Sequence, residues 1–175
     1  MKLLMVAPTS SAIVERIDMF RQAELQQTLQ TIPWFLELTE SQIEKLASIT
    51  SIHHLSKGDT LFHEGDPEGN LYILLDGEMA LDIQIPGRET LRIFTAEPLD
   101  IIGWSSLTPM VRQCTATAHA LFDCDYLELG SERLIRLCDE DGKLGYIIMK
   151  RIANVVASRL LTTRIQLLDH LINSA

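Results

Sequence analysis

The residues best placed to do chemistry gather in one stretch, Ile102-Gly103-Trp104-Ser105-Ser106-Leu107. Gly103 lacks a Cβ, so the backbone there can approach a ligand closely. A short helix starting near Trp104 would present free N–H groups, and Ser105 and Ser106 would add hydroxyl donors. These groups suit the holding of an anion. The Trp104 indole carries one N–H donor and no acceptor. It either stacks on a planar ligand or fills the space as core.

Other reactive side chains read as structural. The five histidines are His53, His54, His63, His119 and His170. His53 and His54 are adjacent, so on a strand they face opposite ways and cannot share one metal. Cys114, Cys124 and Cys138 are odd in number and form no CxxC. That spacing supports neither a disulfide framework nor a four-thiolate metal or iron–sulfur site, and points to reduced thiols. Asp139-Glu140-Asp141 suits the start of a helix. No GxSxG, HExxH, P-loop or dinucleotide fingerprint is present, and Ser105-Ser106 has no evident base, so no enzymatic activity and no metal are expected.

Bulk composition agrees. The chain has 175 residues, 46% of them hydrophobic and 22% charged, enough to bury its own core. Twenty-four acidic and fifteen basic residues give a net charge of −9, without the basic stripe of a nucleic-acid binder. An acidic chain can still bind a small anion locally, through one arginine or a helix end. No apolar run approaches the roughly 20 residues that span a bilayer. The apolar start Met1–Ala7 is too short for a signal sequence, so a cytoplasmic protein is expected.

The elements that must position these residues change period along the chain. Ile13, Ile17, Phe20, Leu25 and Leu29 predict a helix over about Ser11–Leu29, with Ser11 as N-cap. Thr39 and Gln42 form a capping box for a second helix carrying Ile43, Leu46 and Ala47. From Ile49 short segments alternate with period two, punctuated by Gly58, Gly65, Gly77 and Gly87. Asp76-Gly77 reads as a hairpin turn and Pro86-Gly87 as a further turn. Helix returns at Ser131. From about Leu144 an apolar stripe runs through Met149, Ile152, Val156, Leu160, Thr163, Leu167 and Leu171, widened by Ile148, Val155 and Ile165. A helix of about 25 residues is nearly 40 Å long. So wide a stripe can lie on its own domain with one side and needs a second partner for the other.

Lys57-Gly58-Asp59-Thr60-Leu61-Phe62-His63-Glu64-Gly65-Asp66 followed by Leu71-Tyr72-Ile73-Leu74-Leu75-Asp76-Gly77 resembles the cyclic-nucleotide-binding-domain family, closest to the effector domain of bacterial CRP/FNR-type regulators. The likeness runs from about Ile32 to Leu171. It implies an α+β, mainly β fold: a double-stranded β-helix or jelly-roll-like β-roll, with helices before it and a long C-terminal dimerisation helix after it. The expected divisions are an N-terminal helical segment at 1–30, the roll at 31–143 and the dimer helix at 144–175.

The resemblance also implies a phosphate-binding cassette reading Phe-Gly-Glu-Leu/Ile-Ala-Leu, a loop, then Arg, a small residue and Ala. Gly103 and Leu107 match it, but Trp104 stands at the Glu position and Cys114 at the Arg position, followed by Thr115 as the small residue. Arg112 could replace the missing Arg only if the loop differs in length. In the family the Glu accepts from the ribose 2′-hydroxyl and the Arg pairs with the cyclic phosphate; indole and thiol do neither. Thr163 stands where the family's long helix reaches the base, and is otherwise a seam residue. The ligand-binding set expected is Gly103, Trp104, Ser105, Ser106, Arg112, Cys114, Thr115 and Thr163.

The resemblance thus implies a stand-alone regulatory module, a dimeric small-ligand sensor with a degenerate cassette. No cofactor is certain; its ligand is either cAMP or cGMP, whose binding the two replacements put in doubt, or another small anion. The alternative is a ligand-independent scaffold with a plugged pocket that binds a partner protein. Family regulators continue into a helix-turn-helix past the dimer helix, where this chain stops at Ala175. No direct DNA binding is expected of it, unless it is a piece of a longer regulator, and no membrane association.

Overall fold

The computed structural model describes residues 10–173 apart from Glu68, Arg88, Pro109 and Arg112, with side chains from residue 21 onward except those of 170, 171 and 173. The chain forms two compact units, one ending at Ser48 and one beginning at Ile49.

The first unit is helical. Helix α1 spans Ser10–Thr31 and packs against α2, Glu40–Ala47, with a short 3-10 helix at Pro33–Phe35 between them. Ser11 lies inside α1 and does not cap it. The capping box of α2 forms as its sequence predicts. Gln42 N–H donates to Thr39 Oγ1 (3.4 Å), and Thr39 N–H donates to Gln42 Oε1 (3.0 Å). Leu29, Ile32, Phe35, Ile43 and Leu46 are buried.

The second unit holds eight strands: β1 (Thr50–Leu55), β2 (Thr60–Phe62), β3 (Asn70–Asp76), β4 (Met79–Ile83), β5 (Leu91–Ala96), β6 (Ile101–Ile102), β7 (Thr117–Ala120) and β8 (Cys124–Gly130). They form two antiparallel sheets, ordered β1-β8-β3-β6 and β2-β7-β4-β5. Leu74, Met79, Ala96, Ile102, Ala118, Ala120, Cys124 and Tyr126 form the buried core of the roll. Small alanines at alternate positions of β7 let the facing strands approach, which is what their period-two spacing requires.

The turn predicted at Pro86-Gly87 joins β4 to β5 as a hairpin, with Gly87 at φ 75°. The hairpin predicted at Asp76-Gly77 does not form: β3 and β4 lie in different sheets, so this turn carries the chain across the roll. Gly77 is required there on two counts. Its φ is 86°, and a Cβ would run into the carbonyl oxygen of Asp123 and the sulfur of Cys124. A two-residue turn signal encodes local backbone shape, not which sheet the next strand joins.

Helix α3 spans Ser131–Glu140 and α4 spans Gly142–Asn173. Asp141 joins them and caps α4: its Oδ1 accepts from the N–H groups of Lys143 (3.2 Å) and Leu144 (3.0 Å). Of the acidic cluster expected at a helix start, Asp141 alone takes that role; Asp139 and Glu140 end α3. A Cβ at Gly145 would lie 2.7 Å from the Cys138 carbonyl, so glycine lets α3 and α4 cross closely. On α4 the buried stripe is Leu144, Ile147, Ile148 and Ile152. Leu160 and Leu167, placed by their spacing on the same stripe as Ile152, are 70% and 57% exposed. Past Ile152 the apolar stripe is open at Leu160 and Leu167, although Arg159 and Gln166 still reach the roll.

Candidate functional site

The cassette begins at a hinge. Gly103 has φ 74°, and a Cβ on it would sit 2.7 Å from the Asn70 carbonyl and 3.2 Å from the Tyr72 ring. The missing Cβ therefore serves close packing on β3. Trp104–Leu107 then makes the predicted short helix, a single 3-10 turn. Trp104 and Ser106 are half-buried, and Ser105 and Leu107 are buried. Ser106 Oγ donates to the Gly103 carbonyl (2.7 Å) and accepts from Ser131 Oγ (2.6 Å). Its proton is thus committed inside the protein and not offered outward.

The later cassette residues divide. Cys114 is buried and clamped by backbone: its N–H donates to the Asp66 carbonyl (2.8 Å), and its carbonyl accepts from Gly65 N–H (2.8 Å). Thr115 is exposed. Arg112 lies outside the described residues. Thr163 is exposed on α4.

One turn before Thr163, Arg159 reaches the roll. Its guanidinium carbon lies 2.8 Å from the centroid of the Phe94 ring, and Nη2 donates to the Ile101 carbonyl at 3.5 Å. Ile101 is two residues before the cassette hinge. Among the described residues no carboxylate comes within ion-pair distance of Arg159. Burial lowers its pKa from 12.5 to about 10, and the field of Asp100 offsets part of that shift. A half-buried guanidinium facing an aromatic ring, with no ion partner, is equipped to meet an anion.

Several aromatic side chains line the roll core. Phe62, Tyr72 and Phe94 are partly buried and pack on the roll core, with Leu61 and Leu81 beside them. Phe62 stacks on Tyr72 (5.9 Å), and Tyr72 meets Tyr126 edge-on (5.8 Å). Burial pushes the Tyr72 phenol above its ordinary range. Sequence reading missed Tyr72, Phe94 and Arg159 as site residues. The available signal was Arg159 itself, a charge at the helical spacing of the apolar Ile148, Ile152 and Val155.

The histidines have separate partners. His53 Nε2 meets Ser51 Oγ (2.8 Å) and its ring stacks on Tyr126, while His54 Nδ1 meets Asp125 Oδ1 (2.8 Å). His119 Nδ1 lies 3.6 Å from Asp82.

Two rolled antiparallel sheets over one core, a glycine-hinged 3-10 turn and a long helix laid across them define the β-roll class of regulatory domain. A family model of the cyclic nucleotide-binding domain matches residues 52–141, just over half of the chain. The chain belongs to that family. Among solved structures it resembles the N-terminal domain of a transcriptional regulator from Streptomyces coelicolor, at 30% identity and TM-score 0.60, over 79% of this chain and 94% of that one. It also resembles a Geobacter metallireducens protein described as cyclic nucleotide-binding, at 26% identity and TM-score 0.67, over 77% and 97%. A cyclic nucleotide-binding domain from Methylobacillus flagellatus shares the fold, at 22% identity and TM-score 0.72, over 85% and 83%. No curated protein matches the chain. Among the described residues no helix is long and apolar enough to cross a membrane.

Proposed function

We propose that this chain is a regulatory sensor module whose β-roll takes a small anionic ligand at Arg159, and that it acts as a cytoplasmic homodimer through α4. The observation that carries the reading is the half-buried Arg159 guanidinium at the cassette's edge, without a carboxylate partner. Phe94, against its guanidinium, suits a planar ring on the same ligand.

An ordinary cyclic nucleotide is a poor fit. Trp104 and Cys114 remove two charge-assisted hydrogen bonds, each worth roughly 1.5–3 kcal/mol, or about tenfold to a hundredfold in affinity. Arg159 supplies a cation from the helix instead of from the cassette. A ligand drawing that side chain off Phe94 changes how α4 sits on the roll, and can do so only by its differential affinity for the two arrangements.

The dimer rests on the uncovered part of α4. Leu161, Ile165, Leu168 and Ile172 are each about half exposed or more and recur at steps of four, three and four. That is the spacing of a coiled-coil seam, which a parallel second copy would bury.

The test is thermal melting of the protein with cAMP, cGMP, inorganic phosphate and small carboxylates at millimolar concentration. The sensor reading expects a shift of a few degrees with an anion, lost in Arg159→Leu. A flat panel supports the second reading, a ligand-independent scaffold. That reading is favoured by one observation: Arg159 already covers the Phe94 face on which a ligand ring would stack.

A further inference from the structure

A cavity of about 490 Å³ opens where α3 meets β1, β3 and β8. It is lined by Ser51, Asn70, Glu128, Glu132, Arg133 and Arg136, none of them part of the roll site. Its volume is in the range of small-molecule sites, and its lining is polar.

The charges in it are poorly paired. Among the described residues Arg133, Arg136 and Glu132 have no ion-pair partner, although Glu132 and Arg136 are four residues apart on one helix. Glu128 accepts from Asn70 Nδ2 (2.9 Å), lies 3.9 Å from His53 Nε2, and its field reaches the phenols of Tyr72 and Tyr126. The cleft therefore sets two guanidinium groups beside two carboxylates. A simple anion would meet the glutamates and a simple cation the arginines. A molecule carrying both signs meets each with its opposite.

We propose that this cleft binds a small zwitterion, an amino acid or short peptide, with its carboxylate on Arg133 and Arg136 and its ammonium on Glu128 and Glu132. The site stands independently of the roll ligand, yet it touches the same cassette. Ser131 borders the cleft, and its hydroxyl donates to Ser106, whose hydroxyl donates to the Gly103 carbonyl. Ser131 N–H also donates to the carbonyl of Gly69, a further cleft residue (3.0 Å). Occupancy of the cleft is thereby felt at the cassette hinge.

The probe is glycylglycine, with acetate and methylammonium as single-sign controls, followed by melting and by amide NMR shifts of the full chain. Glycylglycine is expected to raise the melting temperature by a few degrees at saturation and to move the signals of Asn70, Glu128 and Arg133. Acetate and methylammonium are expected to do neither. The response should vanish in Arg133→Ala/Arg136→Ala, whose sites are exposed, and persist in Arg159→Leu, which separates this cleft from the roll site. The proposal is overturned by the absence of any glycylglycine response, by an equal response to acetate alone, or by a response that survives the double alanine change.

Discussion

Single residues decide how the cassette is built. Gly103 combines positive φ with a close backbone neighbour, whereas Gly58 has positive φ (88°) and open space around its Cβ position. Gly58→Ala should cost only the left-handed backbone penalty, about 1 kcal/mol. Gly103→Ala adds a collision with β3 and should cost about 2–3 kcal/mol, read as the difference between the two in denaturant melts. Cys138 carries a pH signature. Burial, with the fields of Asp139 and Asp141, raises its thiol from 9 to about 11. The folded state then holds a proton that the unfolded chain has released, so this contribution is complete below pH 9 and is lost as pH rises through 11. Stability should fall less steeply across that window in Cys138→Ser than in the unaltered protein, measured by denaturant midpoints at several pH values. Equal slopes would show that the thiol is solvated.

At the scale of elements, the two halves of α4 differ in burial. Its start is fixed by Asp141, whose carboxylate receives two backbone N–H groups. Asp141→Ala should lower stability by about 1 kcal/mol, seen in thermal or urea melts. Its far half carries the exposed seam at Leu161, Ile165, Leu168 and Ile172. Ile165→Glu/Leu168→Glu should turn a dimer into a monomer in sedimentation or light scattering, with the roll still folded. A monomeric unaltered chain would remove the seam's proposed role. In that far half, Arg159 and Gln166 still donate to the carbonyls of Ile101 and Ile93.

At the scale of the molecule, the family's cassette can be tested by restoring it. Trp104→Glu/Cys114→Arg reintroduces the acceptor and the guanidinium that the family uses. If only the cassette has been lost, the double variant should bind cAMP at least a hundredfold more tightly than the parent, measured calorimetrically. Unchanged affinity would mean that the space behind Gly103 is closed by Arg159 and its surroundings.

The sequence alone determined the order of elements, because that order is written in local signals. Thr39 and Gln42 cap α2, glycines mark the turns, period two changes to a helical period at Ser131, and two replaced cassette residues announce altered ligand chemistry. Each depends on neighbours a few positions away. What only the tertiary structure decided depends on distant chain segments. Asp76-Gly77 crosses between sheets because β3 pairs with β8 and β6 while β4 pairs with β7 and β5. Gly103 is glycine because Asn70 and Tyr72 lie against it. Arg159 faces Phe94, more than sixty positions away, a contact that exists only when α4 folds over the roll. Spacing on a helix tells which residues share a face; how far the roll covers that face is set by packing, and that is why one stripe is buried at Ile152 and open at Leu160 and Leu167.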